Sequence, residues 1–152
     1  MSGLYLEDIK VGDSWQGPPF LMTGAEIVAF ASAFDPQPMH CDPVAAGQGR
    51  FGGIIASGWH LLARVMREYV DLSPFGDTPM LGMRVDDLCW HKPVRPGDTI
   101  HVRREIIEVK RSRSKPDRGT ILTLTTVSNQ DGVVVMSFKN LVQMPARESV
   151  PA

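Results

Sequence analysis

Apolar and polar residues alternate along the chain with two different periods, helical in the first half and strand-like in the second. From Thr23 onward, Ile27, Phe30, Ala31 and Phe34 recur at helical spacing, and Thr23-Gly24-Ala25-Glu26 has the capping-box pattern. That spacing predicts a short amphipathic helix over Gly24–Phe34. Pro36 ends it, and because proline disfavours helical geometry in the residue before it, Asp35 is expected at the helix exit, presented by a loop. Residues 36–55 read as irregular chain rich in Pro and Gly, with one turn of helix around Pro43–Ala46. A loop of that length usually serves function.

A second, stronger helix is predicted from about Ser57 to Tyr69. The rows Leu61, Val65, Tyr69 and Leu62, Met66, Val70 follow i, i+4, i+8 spacing, while Arg64, Arg67, Glu68 and Asp71 occupy much of the other face, so one broad side should be buried. Pro74, Gly76 and Pro79 close the helical region, and strand signals follow. Met80–His91 is moderately apolar, residues 92–98 form a turn, and Thr99–Val109 alternates through Ile100, Val102 and Ile106. Gly119–Ser128 is rich in Thr, Ile, Leu and Val, and Asn129-Gln130-Asp131-Gly132 is a hairpin loop leading into Val133–Met144. One long helix before a run of antiparallel strands implies an α+β fold in which a sheet wraps the helix. No repeat or linker divides the chain; residues 1–152 read as a single domain with its core at about 6–144, and the end, 146–152, reads as loose.

Composition narrows the function. A chain of 152 residues with 43% hydrophobic content can bury a sizeable core. A net charge of -1 and a pI near 6.4 give no overall attraction to nucleic acid or an anionic membrane. Cys41 and Cys89 have no CxxC spacing and make no disulfide framework. The N-terminus lacks the apolar run of a secretory peptide, and no stretch approaches the roughly 18 apolar residues of a membrane span. A soluble, cytoplasmic protein is expected.

The candidate chemistry lies in Phe34–Gly58. An acid, Asp35, and an imidazole, His40, stand five residues apart with two prolines between them, followed by Gly52, Gly53 and Gly58 at the approach to the second helix. A proton acceptor, a proton donor and backbone donors at a helix start suit proton transfer beside a carbonyl. The same residues have plainer readings, Asp35 as a helix terminator and His40 as a partner for neighbouring backbone. Asp35, His40, Cys41 and Asp42 fit no standard metal-ligand spacing, so no metal is expected. Five extended residues would span roughly 16 Å, so Asp35 and His40 converge only if the proline segment bends. Trp59 and His60 are candidates for either a substrate pocket or the core, and His91 and His101 read as surface or structural histidines.

The run Asp35-Pro36-Gln37-Pro38-Met39-His40, with Phe51-Gly52-Gly53-Ile54-Ile55-Ala56-Ser57-Gly58 after it, resembles the signature of MaoC-like dehydratases, which include the R-specific enoyl-CoA hydratases. The passage His91–Asp98 resembles the family's strand-turn-strand segment, so the likeness spans roughly residues 6–144. Gln37 stands where the family usually has Asn, Ser57 where it commonly has His, and Met66 where some hydratases carry a polar residue. The resemblance implies a single hot-dog domain, an antiparallel sheet wrapped around a long central helix. It implies a lyase that reversibly adds water to the C2–C3 double bond of an enoyl thioester, with coenzyme A as part of the substrate and no other cofactor. In it Asp35 would take a proton from water, His40 would help supply one to the α-carbon, and the Gly58 N–H would receive the thioester oxyanion. Gln37, Ser57, Trp59 and Gly53 would border the substrate, and the chain would pair as at least a homodimer. A hot-dog thioesterase and a non-catalytic acyl-thioester-binding partner subunit are the alternatives. Residues 110–118, with five cations and one acid, read as a solvated hairpin tip or a contact for the phosphates of coenzyme A or an acyl carrier protein.

Overall fold

The computed structural model describes residues 2–147. After a 3-10 turn at Leu6–Asp8 come β1 (Ser14–Gln16), β2 (Phe20–Leu21), α1 (Gly24–Phe34), α2 (Pro38–Cys41), α3 (Pro43–Gln48) and α4 (Gly58–Leu72). The long strands β3 (Leu81–Trp90), β4 (Thr99–Arg111), β5 (Arg118–Ser128) and β6 (Val134–Pro145) follow. They pair antiparallel in the order β1-β4-β5-β6-β3, with β2 against the start of β4. This is the α+β hot-dog arrangement expected from the sequence. β5 shows why it forms: every second residue from Gly119 to Val127 is buried, and strand alternation sends that set to the face covered by α4.

The helices follow the expected signals with instructive differences. α1 has the expected bounds, and the Thr23 hydroxyl accepts from the Glu26 N–H at 3.2 Å. α4 starts at Gly58 and runs on to Leu72, where Ser73 ends it in a left-handed conformation. Its buried side is narrower than the periodicity predicts. Leu61 and Val65 are buried, yet Met66 and Val70 are each 60% exposed, because one sheet covers only part of the helix. Glu68, expected on the solvent side, is buried, since Arg104 on β4 meets its Oε2 at 2.6 Å. The pieces that sequence reading missed, β1, β2, α2 and the 3-10 turn, are too short to display a period.

The basic segment is the β4–β5 hairpin, and its residues 113–117 are exposed, as the solvated-tip reading expects. It lies at the opposite end of β4 and β5 from Trp90, about 33 Å away at strand rise. Arg111 is engaged with Glu7 at 2.7 Å and Arg118 with Asp117 at 2.8 Å. Two of the residues expected to be loose are anchored: Ala146 is buried and donates to the Asp117 carbonyl at 2.8 Å, and Arg147 pairs with Asp8 at 2.9 Å. Residues 148–152 of that expected loose end lie outside the described residues.

His60 resolves to the core alternative. It is buried, stacks on Phe30 at 4.7 Å between ring centres, and has Nε2 3.6 Å from Glu26 Oε1. Burial pushes its imidazole below the ordinary value, against the opposing pull of the Glu26 carboxylate. Its folded form therefore resists protonation more than the unfolded chain does, so its contribution is complete above about 6.5 and is lost as pH falls through the lower folded value. Urea midpoints should accordingly decline as pH drops below about 6.5, and His60→Gln should flatten that decline. A slope equal in variant and parent would show that His60 is not its source.

Candidate active site

Asp35 terminates α1 as its C-cap residue, with its N–H on the Ala31 carbonyl at 2.8 Å. The chain then doubles back. Gln37 donates its N–H to the Asp35 carbonyl at 2.8 Å, Pro38 starts α2, and the His40 N–H reaches the Gln37 carbonyl at 2.9 Å. Proline suits the first helical position because it has no N–H to leave unpaired. This tight return supplies the bend that the five-residue spacing requires. Asp35 Oδ2 and His40 Nε2 lie 3.4 Å apart.

Each partner is held from behind. His40 is buried, and its Nδ1 is 2.7 Å from the Ile55 carbonyl oxygen. A carbonyl can only accept, so Nδ1 carries the proton, and in the neutral ring Nε2 is left with a lone pair facing Asp35. The Asp35 carboxylate accepts from Gln37 Nε2 on Oδ1 and from Ser57 Oγ on Oδ2, both at 2.7 Å. The Gln37 bond and then the Ser57 bond hold this carboxyl below the usual carboxylate range, outweighing its burial. An ionised carboxylate and an imidazole lone pair would repel each other if nothing lay between them. A water donating one O–H to each satisfies both.

Gly58 begins α4, where first-turn N–H groups have no intrahelical acceptor. The helix dipole adds positive potential at that point, which suits a developing oxyanion. The glycine has a reason that the sequence does not reveal. A Cβ there would stand 2.5 Å from Trp90 Cε2, and Trp90 Nε1 already donates to the Gly58 carbonyl at 3.0 Å. Close packing against Trp90 thus excludes a side chain at Gly58.

Asp35, His40, Ser57, Gly58 and Trp59 all line one cavity of about 320 Å³, closed by Phe51, Ile55, Trp90 and His91–Val94. Four of the sequence candidates therefore meet Asp35 at a common space. Gln37 joins through its bond to Asp35, and Ser57 is a positioning partner of that carboxylate as much as a wall. Gly53 is not among the lining residues; a Cβ added to it would meet Arg95 Nη1 at 3.5 Å. His91, expected to be surface or structural, does border the cavity and lies 2.7 Å from Ser137 Oγ. Trp90 was not a candidate at all. Its link to Gly58 spans 32 positions, and no local pattern encodes it. Cys41 and Asp42 turn to local duties, Cys41 Sγ on the Gln37 carbonyl and Asp42 Oδ1 capping α3 through Val44 and Ala45.

Comparison with known proteins bears on the fold and the family. A family model described as "MaoC like domain" matches residues 10–129. The uncharacterized protein YdeM of Bacillus subtilis is 31% identical over 130 residues, covering 86% of this chain and 91% of that one. The crystal structure of a MaoC-like dehydratase from Rhodospirillum rubrum superposes with a TM-score of 0.87 at 39% identity, over 95% of this chain and 99% of that one. R-hydratase PhaJ1 from Pseudomonas aeruginosa has the same fold, with a TM-score of 0.77 at 20% identity over 99% of this chain and 95% of that one.

Proposed function

Because the chain belongs to the MaoC-like domain family, we propose that it is a hydratase or dehydratase of enoyl and 3-hydroxyacyl thioesters. The observation that carries this reading is the convergence of three groups: a carboxylate, an imidazole lone pair 3.4 Å from it, and the open start of α4 at Gly58.

In the hydration direction, a water between Asp35 Oδ2 and His40 Nε2 attacks the β-carbon. Its proton passes to Nε2, the group with an available lone pair. The lowered proton affinity of Asp35 makes it the weaker acceptor and keeps it ionised, so it aligns the water and attracts the charge that forms on the imidazole. The oxyanion on the thioester carbonyl lies against the Gly58 N–H. The imidazolium then gives its proton to the α-carbon, and the atoms of one water are all accounted for. Dehydration reverses each step. This assignment moves the proton transfer from Asp35, where the family resemblance put it, to His40. The chemistry requires no metal or redox cofactor.

Lys92 lines the cavity, Arg50 lies over the ring of the lining residue Phe51, and Arg95 flanks Gly53. These cations suit the phosphates of coenzyme A better than the remote hairpin does. A homodimer is the proposed assembly. β3 forms the sheet edge opposite β1, and its Leu81, Met83 and Val85 are exposed beside the exposed Trp59, Met66 and Val70 of α4. Free Cys41 and Cys89 fit a reducing cytoplasm, and no helix among the described residues is long and apolar enough to cross a membrane.

The test is ultraviolet absorbance of the conjugated enoyl thioester, followed over trans-2-enoyl-CoA substrates of several chain lengths beside a thiol reagent. Loss of absorbance without thiol release is the expected result. Thiol release would identify a thioesterase, and binding without turnover a partner subunit. Light scattering should give about twice the chain mass of 16.7 kDa.

A further inference from the structure

α4 starts weakly for a helix whose first N–H must stay aimed at one point. Its first residue is Gly58, of the type least favourable in a helix after proline. Its N-cap residue, Ser57, makes no side-chain cap, and the hydroxyl that would serve is turned to Asp35 at 2.7 Å. The Ser57 carbonyl accepts from the N–H groups of His60 and Leu61 at 3.0 and 3.2 Å, which anchors the peptide before Gly58. The peptide after it lies in the turn most prone to fray.

Trp90 holds that second peptide from outside the helix. Its Nε1 donates to the Gly58 carbonyl at 3.0 Å, and its ring atoms lie 2.5–2.9 Å from where a Cβ on Gly58 would stand. Trp59 braces the indole edge-on, with 5.3 Å between ring centroids. The sheet is shaped to deliver this ring. Between Asp86, opposite Lys139, and Cys89, opposite Ser137, β3 takes three residue steps against two on β6, and Asp87 in this bulge has a left-handed φ of 53°. Side chains alternate faces along a strand, so without the extra residue Trp90 would share the outward face of Asp86. With it, Trp90 stands opposite the buried Met136, on the side of α4. Bulges re-aim side chains beside active sites, and left-handed backbone at a residue other than glycine is strain of the kind that gathers at functional sites.

On the hydratase reading above, we propose that Trp90 is a positioning residue for the thioester oxyanion: it stands in for the missing cap of α4 and keeps the Gly58 N–H aimed into the catalytic cavity. Trp90 acts through the Gly58 backbone. The bond from the Gly58 N–H to the thioester oxygen strengthens as charge builds on that oxygen, so a loss of aim weakens the transition state more than the bound substrate. A tryptophan that served only as a cavity wall would act on substrate binding instead.

Trp90→Phe keeps an aromatic ring and removes the N–H. With crotonyl-CoA as substrate, kcat should fall about tenfold or more while KM changes by less than about twofold. A second measurement reads the oxyanion donor itself. In a His40→Gln background, which slows turnover, the infrared carbonyl stretch of a bound enoyl-CoA labelled with carbon-13 at C1 should lie below its value in buffer, and adding Trp90→Phe should return it toward that value. Because the band is read only from liganded protein, partial unfolding does not mimic the effect. If Trp90→Phe does not fold, Trp90→Met, which fills the space without a donor, is read in the same way. An unchanged kcat, a change confined to KM, or a carbonyl band that the substitution leaves in place overturns the proposal. Hydration of crotonyl-CoA by the parent with any of those results sinks only this inference, whereas no hydration of any enoyl-CoA by the parent sinks the reading beneath it.

Discussion

Asp35→Asn and His40→Gln should each reduce turnover at least a hundredfold while leaving the protein folded, with kcat measured on an enoyl-CoA and folding checked by circular dichroism. General acid–base groups contribute about a hundred- to ten-thousandfold, and both residues are spent on one proton path. An asparagine in place of Asp35 can still accept from Gln37 on one side. On the other it places an amide donor toward Nε2, so the lone pair needed for the water proton is occupied by that new amide. A glutamine in place of His40 can reach the Ile55 carbonyl but brings no basic nitrogen. The cost at Asp35 is electrostatic and the cost at His40 is chemical. The two losses should not add in the double variant, because both act on the same water. Near-parent activity in both single variants would contradict the mechanism.

Glu68→Ala should cost about 3–5 kcal/mol of stability, because it leaves the Arg104 guanidinium buried without its counter-charge. Both side chains are 5% exposed, so solvent cannot compensate. At the usual entropy of unfolding for a chain of this size, the melting temperature should fall by roughly 10 °C. Replacing both members, Glu68→Leu with Arg104→Met, should cost far less than the single change, since no charge is then stranded. Thermal melts of the parent, the single variant and the double variant test this. A single variant as stable as its parent would mean that water reaches the pair.

Much of this architecture is legible in the sequence because the signals are local. The α1 bounds follow from the Thr23 cap and Pro36, and the long strands follow from alternation and the Asn129–Gly132 loop. The candidate acid and imidazole are also legible, as types at a spacing. What the sequence could not supply is whatever depends on a partner distant along the chain. Met66 and Val70 share a period with Leu62, yet only the single-sided sheet decides that they stay exposed. Glu68 looks like a surface charge until Arg104, 36 positions away, is seen to receive it. The reason for glycine at 58 is Trp90, and the tautomer of His40 is set by the carbonyl of Ile55, 15 positions on. Contacts to Asp35 bear on the chemistry as well. Ser57, which departs from the common family residue, finds its use by donating to Asp35, and Gln37 does the same from the other side. Together they lower the proton affinity of the carboxylate, which is why the proposed mechanism gives the proton-accepting role to His40.

In the proposed reaction water adds across the double bond beside a thioester that remains intact, and mass spectrometry of the products formed from a trans-2-enoyl-CoA in heavy-oxygen water tests this. The mechanism predicts a 3-hydroxyacyl-CoA with one heavy oxygen on the β-carbon and coenzyme A still attached. Heavy oxygen in a free carboxylate with coenzyme A released, or the absence of any labelled 3-hydroxyacyl-CoA, would contradict it.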